Sequence, residues 1–285
     1  MAGILYLVGT PIGNIGDMSP RAAATLAEAD FIAAEDTRVT GRLLKLCGIT
    51  KKAPLVSYYE QNEAVRREEI AARILSGETC ALVTDAGMPV ISDPGEMLVR
   101  HCAEAGIEVR AVPGPTAFAT ALAISGLGGR RFSFEGFLSV NKRQRTEHLR
   151  SLESYPNTMI FYEAPHKLRR TLSDLLECFG DRAAVLCREI TKLYEEAERG
   201  TLRELAALYE TKPPKGEYVI VVSGKGGESG GESEVSPEES LNRAAARAKE
   251  LQESGYSAPE AAKAAAKEFG CRKADVYRRL IEKNT

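Results

Sequence analysis

Histidine and paired cysteines are scarce in this 285-residue sequence, which contains three histidines and six cysteines. The cysteines are scattered, with no C-x-x-C pair and no cluster of histidines nearby. Structural zinc needs such ligands at close spacing, so the sequence gives no support for a metal site. We expect no bound metal, and we expect the cysteines to be buried, reduced thiols.

Long apolar segments and net charge are missing as well. No apolar stretch approaches the ~20 residues that span a membrane, and the N-terminus lacks the basic-then-apolar pattern of a signal peptide. These absences predict a cytoplasmic protein without membrane contact. The net charge of −2 provides no general attraction to nucleic acid, so any contact with RNA must come from a local basic surface.

Three apolar runs each lead into a loop that contains glycine and proline. The first is Ile4–Val8 before GTPIGN, the second is Leu82–Thr84 before DAGMP, and the third is Val109–Val112 before PGPT. Continuous apolar runs are typical of strands buried on both faces of a parallel sheet. Ligands bind beside the carboxyl ends of such strands, so the three loops predict one shared pocket.

Strands and helices alternate over residues 1–125, which predicts an α/β domain with a parallel sheet. Its further strands are expected at Phe31–Ala34, Cys80–Thr84 and Glu108–Val112, and its helices at Arg21–Ala29, Asn62–Ser76, Glu96–Ala105 and Pro115–Ser125.

A second α/β domain is expected over residues 126–223. Its strands are predicted at Phe132–Glu135, Thr158–Tyr162, Ala183–Arg188, Glu195–Gly200 and Tyr218–Val222, and its helices at Arg143–Leu152, His166–Phe179 and Leu202–Tyr209. Residues 224–236 are rich in Gly, Ser and Glu, which is typical of a flexible linker. Residues 237–285 form a helical segment, with helices predicted at Pro237–Gly255, Ala258–Gly270 and Lys273–Lys283.

Seven sequence blocks carry a resemblance to a known family. VGTPIGNIGDMSPRA, AEDTR, VTDAGMPVISDPG, VPGPTA, FEGFL, FYEAPHKL and CREITKLYEE, in this order, resemble the tetrapyrrole-methylase superfamily and, within it, the ribosomal small-subunit methyltransferase I branch. The match runs from about Gly3 to Val222. Met88 and Lys167 depart from it, since the family often has Thr and Arg there.

The resemblance implies two α/β domains with the active site in the cleft between them, plus a small C-terminal helical appendage. It implies S-adenosylmethionine (SAM) as methyl donor and 2′-O-methylation of a cytidine ribose in 16S rRNA as the reaction. It further implies that the rRNA is methylated within the 30S subunit and that the protein is a homodimer. Two other hypotheses stay open: methylation of a tetrapyrrole or another small molecule, and a protein that only senses SAM.

The donor site is expected in the glycine loops. The resemblance places it at Pro11, Gly13, Asp85, Ala86, Gly87, Met88, Ser92, Thr116 and Ala117. Backbone amides of such loops suit the adenine edge and the carboxylate of the donor. Asp85 and Thr116 have a second interpretation, because each could simply cap a turn or a helix.

Two carboxylates are candidates for removing the proton of the ribose hydroxyl. Asp36 follows a predicted strand in AEDTR, and Glu163 stands in FYEAPH. A buried carboxylate can serve as such a base. The alternatives are that Asp36 only pairs with Arg38 and that Glu163 only orients a turn.

Basic residues provide the candidate RNA contacts. Arg38, Arg188 and Lys192 lie in family motifs, and Arg143 lies in the stretch from Arg130 to Arg150, which has six basic and two acidic residues. Phenylalanines 132, 134 and 137 are interleaved there and could stack on bases. For Phe132 and Phe134 we favour core packing. For the C-terminal helices, nucleic-acid contact and a plain solvated bundle remain equally open.

Overall fold

The structure, a computed structural model, describes residues 2–50, 53–226 and 237–282. The described residues fall into two compact units, one on each side of the gap after residue 226. Most of the predicted linker lies outside the described residues. Its first residues are anchored, because the Lys225 amide donates to the Tyr155 carbonyl over 2.7 Å.

The first sheet of the larger unit is entirely parallel, as predicted. Its strands are β1 (Ile4–Val8), β2 (Phe31–Ala34), β3 (Leu55–Ser57), β4 (Cys80–Val83) and β5 (Glu108–Val112), in the order β3-β2-β4-β1-β5. Both of its faces are covered. In β2, Phe31 and Ala33 join one apolar cluster while Ile32 and Ala34 join another, so the strand is buried on both sides.

Five helices follow these strands: α1 (Pro20–Glu28), α2 (Thr37–Leu46), α3 (Glu63–Leu75), α4 (Glu96–Glu104) and α5 (Ala117–Ser125). At the start of α1, the Ser19 hydroxyl accepts from the Ala22 amide and Pro20 occupies the first helical position. The sequence analysis did not predict α2 and β3. Helix α5, placed in the first domain by the boundary at residue 125, packs on the second sheet, where Ala121 joins Ile160 and Val221.

The second sheet is mixed. Its strands are β6 (Phe132–Phe137), β7 (Thr158–Glu163), β8 (Ala183–Arg188), β9 (Glu196–Thr201) and β10 (Tyr218–Val222), in the order β6-β7-β10-β8-β9. Only the β6–β7 pair is parallel. Helices α6 (Lys142–Leu152), α7 (Leu168–Phe179) and α8 (Leu202–Thr211) cover the face opposite α5 with a large apolar core.

The smaller unit consists of three helices, as predicted: α9 (Pro237–Glu253), α10 (Ala258–Glu268) and α11 (Lys273–Glu282). Its core is built mostly from alanines, with Val276 and Leu280 from α11. A reciprocal capping box of Ser257 and Glu260 begins α10. Within the described part of the chain, no helix has the length and apolar character needed to cross a membrane.

Candidate active site

A cavity of about 450 Å³ lies where loops of the first sheet face strands of the second. The first half of the unit supplies the segment from Asp85 to Asp93, together with Ile12, Glu35, Thr116 and Ala117. The second half supplies the end of β7, the loop after β8 and the start of β10. The cavity therefore occupies the cleft that the resemblance predicted.

Backbone contacts fix the loops of the first half against each other. Thr10 and Gly87 exchange two backbone hydrogen bonds, of 2.9 and 3.1 Å. Gly87 has a φ of +87°, which glycine adopts without strain. The loop after β1 and the loop after β4 thus form one floor, which brings two of the three predicted glycine loops together, and Thr116 adds the third.

The backbone beside the cavity is strained. Four non-glycine residues in the described chain have a positive φ between +50° and +78°: Val90, Ser92, Glu189 and Thr191. Two belong to the loop after β4 and two to the loop after β8, so both of these loops line the cavity with strained segments. Such strain persists only where the surrounding structure enforces it, and it concentrates at functional sites.

The cavity is lined by carboxylates. Its titratable acids are Glu35, Asp85, Asp93, Glu163, Glu189 and Glu217, against a single lysine, Lys192. Burial, together with the neighbouring carboxylates of Glu35 and Asp85, raises the pKa of Asp93 to about 7. Burial also raises the pKa values of Glu35 and Asp85. The arrangement favours a positively charged ligand, because a cation would offset this repulsion.

Glu163 accepts a hydrogen bond on each of its two carboxylate oxygens. It ends β7 and is 3% exposed. One carboxylate oxygen, Oε1, accepts from the Ala164 amide over 2.9 Å, and the other, Oε2, accepts from the Thr171 hydroxyl. Glu163 is also one of the residues that line the cavity.

Asp36 lies outside the cavity lining. Its carboxylate caps α2 by accepting from the Arg38 amide over 2.8 Å, and it pairs with the Arg38 guanidinium over 2.6 Å. These bonds to Arg38 hold the pKa of Asp36 well below its usual range. Both residues are therefore engaged with each other at the start of a helix.

The other predicted site residues divide into two groups. The structure places Asp85, Ala86, Gly87, Met88, Ser92, Thr116, Ala117, Glu163 and Lys192 in the cavity lining, while Pro11, Gly13, Asp36, Arg38, Arg143 and Arg188 lie outside it. Gly13 packs against the Lys192 side chain, since a Cβ on Gly13 would lie 2.4 Å from the Lys192 Cγ atom. Lys192 itself is paired with Glu189 and Glu217, over 3.0 and 2.8 Å.

Several lining residues escaped the sequence analysis. The cavity lining includes residues that are not among the predicted site residues: Ile91, Asp93, Ile190, Glu217 and Val219. No local pattern marks Glu217, which reaches the cavity because β10 lies next to β7 in the sheet. Asp93 could have been found, because an acidic residue in a Pro/Gly loop after a buried strand matches the argument used for Asp85.

Comparison with known proteins agrees with this architecture. The profile of the tetrapyrrole (corrin/porphyrin) methylases matches residues 4–206, so the chain belongs to that family. A conserved hypothetical protein from Aeropyrum pernix shares the fold with a TM-score of 0.63 at 20% identity, covering 79% of this chain and 86% of its own. The uroporphyrin-III-C-methyltransferase of Thermus thermophilus follows with 0.54 at 24% identity, covering 78% and 94%.

Three sequence relatives carry the name ribosomal RNA small subunit methyltransferase I. The Synechocystis protein is 51% identical over 78% of this chain and 79% of its own length. The Streptococcus pyogenes protein is 41% identical over 98% and 95%. The Thermotoga maritima protein is 48% identical over 78% of this chain but 99% of its own length, so it is a shorter protein that is matched almost completely.

Proposed function

We propose that this chain is a SAM-dependent methyltransferase that acts in the cytoplasm on 16S rRNA, where it methylates the ribose 2′-hydroxyl of a cytidine. The observation that carries the proposal is a carboxylate-lined cavity at the strand-end loops of a chain that resembles small-subunit rRNA methyltransferases over most of its length. The 2′-O position rests on the motifs AEDTR and FYEAPH, which resemble the rRNA branch of the family.

The lining residues fit the methyl donor. SAM carries a sulfonium and an ammonium group against one carboxylate, so its net charge is positive, and a lining with more carboxylates than its single lysine can neutralise attracts it. The segment Asp85–Met88, with Ser92, Thr116 and Ala117, would hold it, while Pro11 and Gly13 would support this floor from outside. When bound, the donor supplies an electrophilic methyl group.

Glu163 is the group we assign to the ribose hydroxyl. Transfer to a hydroxyl requires alignment of the two centres, exclusion of water and removal of a proton. Glu163 lines the cavity from the second half of the unit, with both oxygens already oriented by hydrogen bonds. Asp36 was the other candidate, but its carboxylate is engaged with Arg38 away from the lining.

The rRNA contact is proposed on the basic surface beside α6. Arg130 and Arg131, just before β6, and Arg143 on α6 are exposed, and Arg143 is paired with Glu147, an exposed residue one turn further along the helix. Exposed pairs of this kind are weak and exchange readily for phosphate. Arg145 is not part of this surface, because it is 5% exposed. Phe137 lines the cavity and is 57% exposed, so it is available for base stacking.

A tetrapyrrole substrate is the second candidate. Its support is the family itself and the fold shared with the Thermus enzyme. The acidic cavity argues against it, because a tetrapyrrole bearing several carboxylates would meet Glu163, Glu189 and Glu217 at close range. A neutral ribose hydroxyl, with its phosphates held on the basic surface outside, avoids that repulsion.

The homodimer implied by the resemblance also remains a proposal. An apolar depression on α5 and the following turn supports it, lined by Ala119, Leu122, Ala123, Gly126 and Phe132 among others. Ala119 and Ala123 are exposed on α5, a helix made mostly of apolar residues. A second copy of the chain covering this face would remove that surface from water. Sedimentation equilibrium of the wild-type protein and of Ala123→Glu tests this assembly, since the charge should give monomers.

One assay separates the functional candidates. The purified chain is incubated with radiolabelled SAM and, in parallel, with 30S subunits, naked 16S rRNA and a tetrapyrrole precursor. We expect label in 30S subunits that is released by nuclease digestion as 2′-O-methylcytidine. Label in the tetrapyrrole alone would replace the proposal with the second candidate, and donor binding without transfer to any substrate would favour a sensor.

A further inference from the structure

A chain of buried polar groups runs from Glu163 away from the cavity. Glu163 Oε2 accepts from the Thr171 hydroxyl, and Thr171 Oγ1 in turn accepts from Arg145 Nη2 over 2.8 Å. Arg145 Nε donates to Asp174 Oδ2 over 2.5 Å. Thr171 is fully buried, and Arg145 and Glu163 are 5% and 3% exposed. The chain connects β7, α7 and α6.

The direction of each hydrogen bond in this chain is fixed by chemistry. A guanidinium has donors and no acceptor, so the Thr171 oxygen must accept from Arg145. The single hydroxyl proton of Thr171 is then left to point at Glu163. Arg145 therefore determines which way the threonine donates, and its link to Glu163 passes through the Thr171 hydroxyl.

This hydrogen-bonded chain of side chains contains more polar groups than packing alone requires. The Arg145 guanidinium is buried while its partner Asp174 is partly exposed, and an ion pair that takes a charge out of water in this way contributes little to stability compared with apolar residues of similar volume. Thr171 and Asp174 lie three residues apart and share one face of α7, which lets a single guanidinium bridge them. These groups are costly for the fold and they end at a carboxylate of the cavity lining, which points to a role in the cavity.

We propose that Thr171 and Arg145 are positioning residues for Glu163, holding its carboxylate in one orientation at the cavity wall. The inference rests on the proposed function, in which Glu163 receives the hydroxyl proton. A donor on Oε2 and another on Oε1 leave each oxygen a free lone pair in a fixed direction. Without the Thr171 hydroxyl, the carboxylate would be free to turn about its side-chain torsions, and alignment would be lost.

The test compares Thr171→Val, which keeps the side-chain shape but removes the hydroxyl, with Thr171→Ser, which keeps the hydroxyl. Thr171→Val should lower kcat on 30S subunits roughly 10–100-fold, the scale on which small misplacements act. The KM for 30S and the Kd for SAM should stay within a few-fold, and Thr171→Ser should restore most of kcat. Thr146→Val is the control, because that hydroxyl bonds only to the Lys142 carbonyl on α6.

Two further measurements separate positioning from stability. In a Glu163→Gln background, Thr171→Val should cause no additional loss of kcat, because the carboxylate that Thr171 positions is already absent. In crystal structures of the free proteins, the Glu163 carboxylate should be displaced in Thr171→Val and unmoved in Thr171→Ser.

The proposal is overturned if Thr171→Val lowers only the melting temperature, if Thr171→Ser is as inactive as Thr171→Val, or if the carboxylate does not move. It is overturned as well if Glu163→Gln keeps wild-type turnover, or if Thr171→Val costs as much in the Glu163→Gln background as in the wild type. Failure of the wild-type protein to methylate any rRNA is a different result, which would remove the proposed function itself.

Discussion

Gly9 and Gly114 meet backbone against backbone. A Cβ atom on Gly9 would lie 2.6 Å from the Gly114 Cα atom, and a Cβ on Gly114 would lie 2.7 Å from the Gly9 carbonyl carbon. Both glycines belong to loops that follow neighbouring strands, β1 and β5. Their contact lets the loops approach closely enough to support Met88, which lines the cavity.

Gly9→Ala should therefore destabilise the protein. The methyl group cannot be accommodated without moving backbone, and overpacking of this kind costs about 1–3 kcal/mol. The melting temperature, measured by calorimetry, should fall, and SAM affinity should fall with it. Gly41→Ala is the matched control. Gly41 lies inside α2 with Leu55 no closer than 3.7 Å, so alanine there should stabilise the helix. Equal melting temperatures for wild type and Gly9→Ala would disprove the close contact.

Asp93 should make donor binding depend on pH. Its pKa of about 7 means that it is largely protonated below neutrality, and a bound cation would favour the charged form. Binding should then release a fraction of a proton near pH 7. SAM affinity, measured by titration calorimetry, should rise from pH 6 to pH 8 and level off above. Asp93→Asn should flatten this dependence, while Asp181→Asn, outside the cavity lining, should not change it. A flat wild-type profile would contradict the assignment.

The same residue should affect stability in the opposite direction. The folded-state pKa of Asp93 lies above its value of 3.8 in the absence of the fold, so its contribution to stability is present at low pH and is lost as pH rises towards 7. At pH 8 the Asp93→Asn variant should melt above the wild type, whereas at pH 4 the difference should be small. Thermal unfolding of the ligand-free protein at both pH values checks this, and a constant difference would count against a raised pKa.

Replacing each carboxylate by the corresponding amide ranks Glu163 and Asp36 as candidates for the proton acceptor. Glu163→Gln should lower kcat on 30S subunits by roughly 10²–10⁴, the usual contribution of a positioned acid–base group, with the Kd for SAM within a few-fold. Asp36→Asn should lower kcat less than about tenfold, because asparagine caps a helix as well as aspartate does. The reverse ranking would transfer the proton-accepting role to Asp36, and small losses in both would leave alignment as the source of catalysis.

Much of the fold could be predicted because the sequence pattern is local. β2, β5, β8 and β10 have the predicted bounds, since each is a short run closed by turn residues or by charge. β3 has three residues, too few to show a periodicity, and α2 begins at Thr37, within the AEDTR motif that the sequence analysis placed only at a strand end. The packing of α5 on the second sheet could not be predicted, because a helix that is apolar on all sides does not indicate which neighbour it prefers.

The cavity lining was predictable where loops carry glycine and proline, and at Glu163 and Lys192, which lie in family motifs. Gly87 and Met88 were found in this way, whereas Glu217 and Val219 reach the cavity through sheet order. Arg145 shows a missed pattern. It lies four residues before Leu149 and seven before Leu152, all three buried on one face of α6. Helical spacing therefore indicated a buried arginine inside a stretch that we interpreted as a phosphate-binding surface.

The smaller unit provides the last prediction. Every residue that lines the cavity lies at or before Val219, and the Thermotoga relative is matched almost completely by 78% of this chain. Truncation after Gly231 should therefore leave the Kd for SAM unchanged. Lys263 and Lys267 lie four residues apart and are exposed on α10, where they are placed to meet phosphate together. The truncated protein should bind 30S subunits more weakly.

The dependence of that affinity on salt identifies the cause. Each lost phosphate contact reduces the log–log salt slope by about one unit, so the truncated protein should show a flatter slope. Lys263→Ala combined with Lys267→Ala should flatten it partially in the full chain. Glu268→Ala, on the same helix, should not flatten it. If truncation leaves both the 30S affinity and the slope unchanged, the three helices do not contact RNA, because a lost electrostatic contact cannot be silent in both measurements.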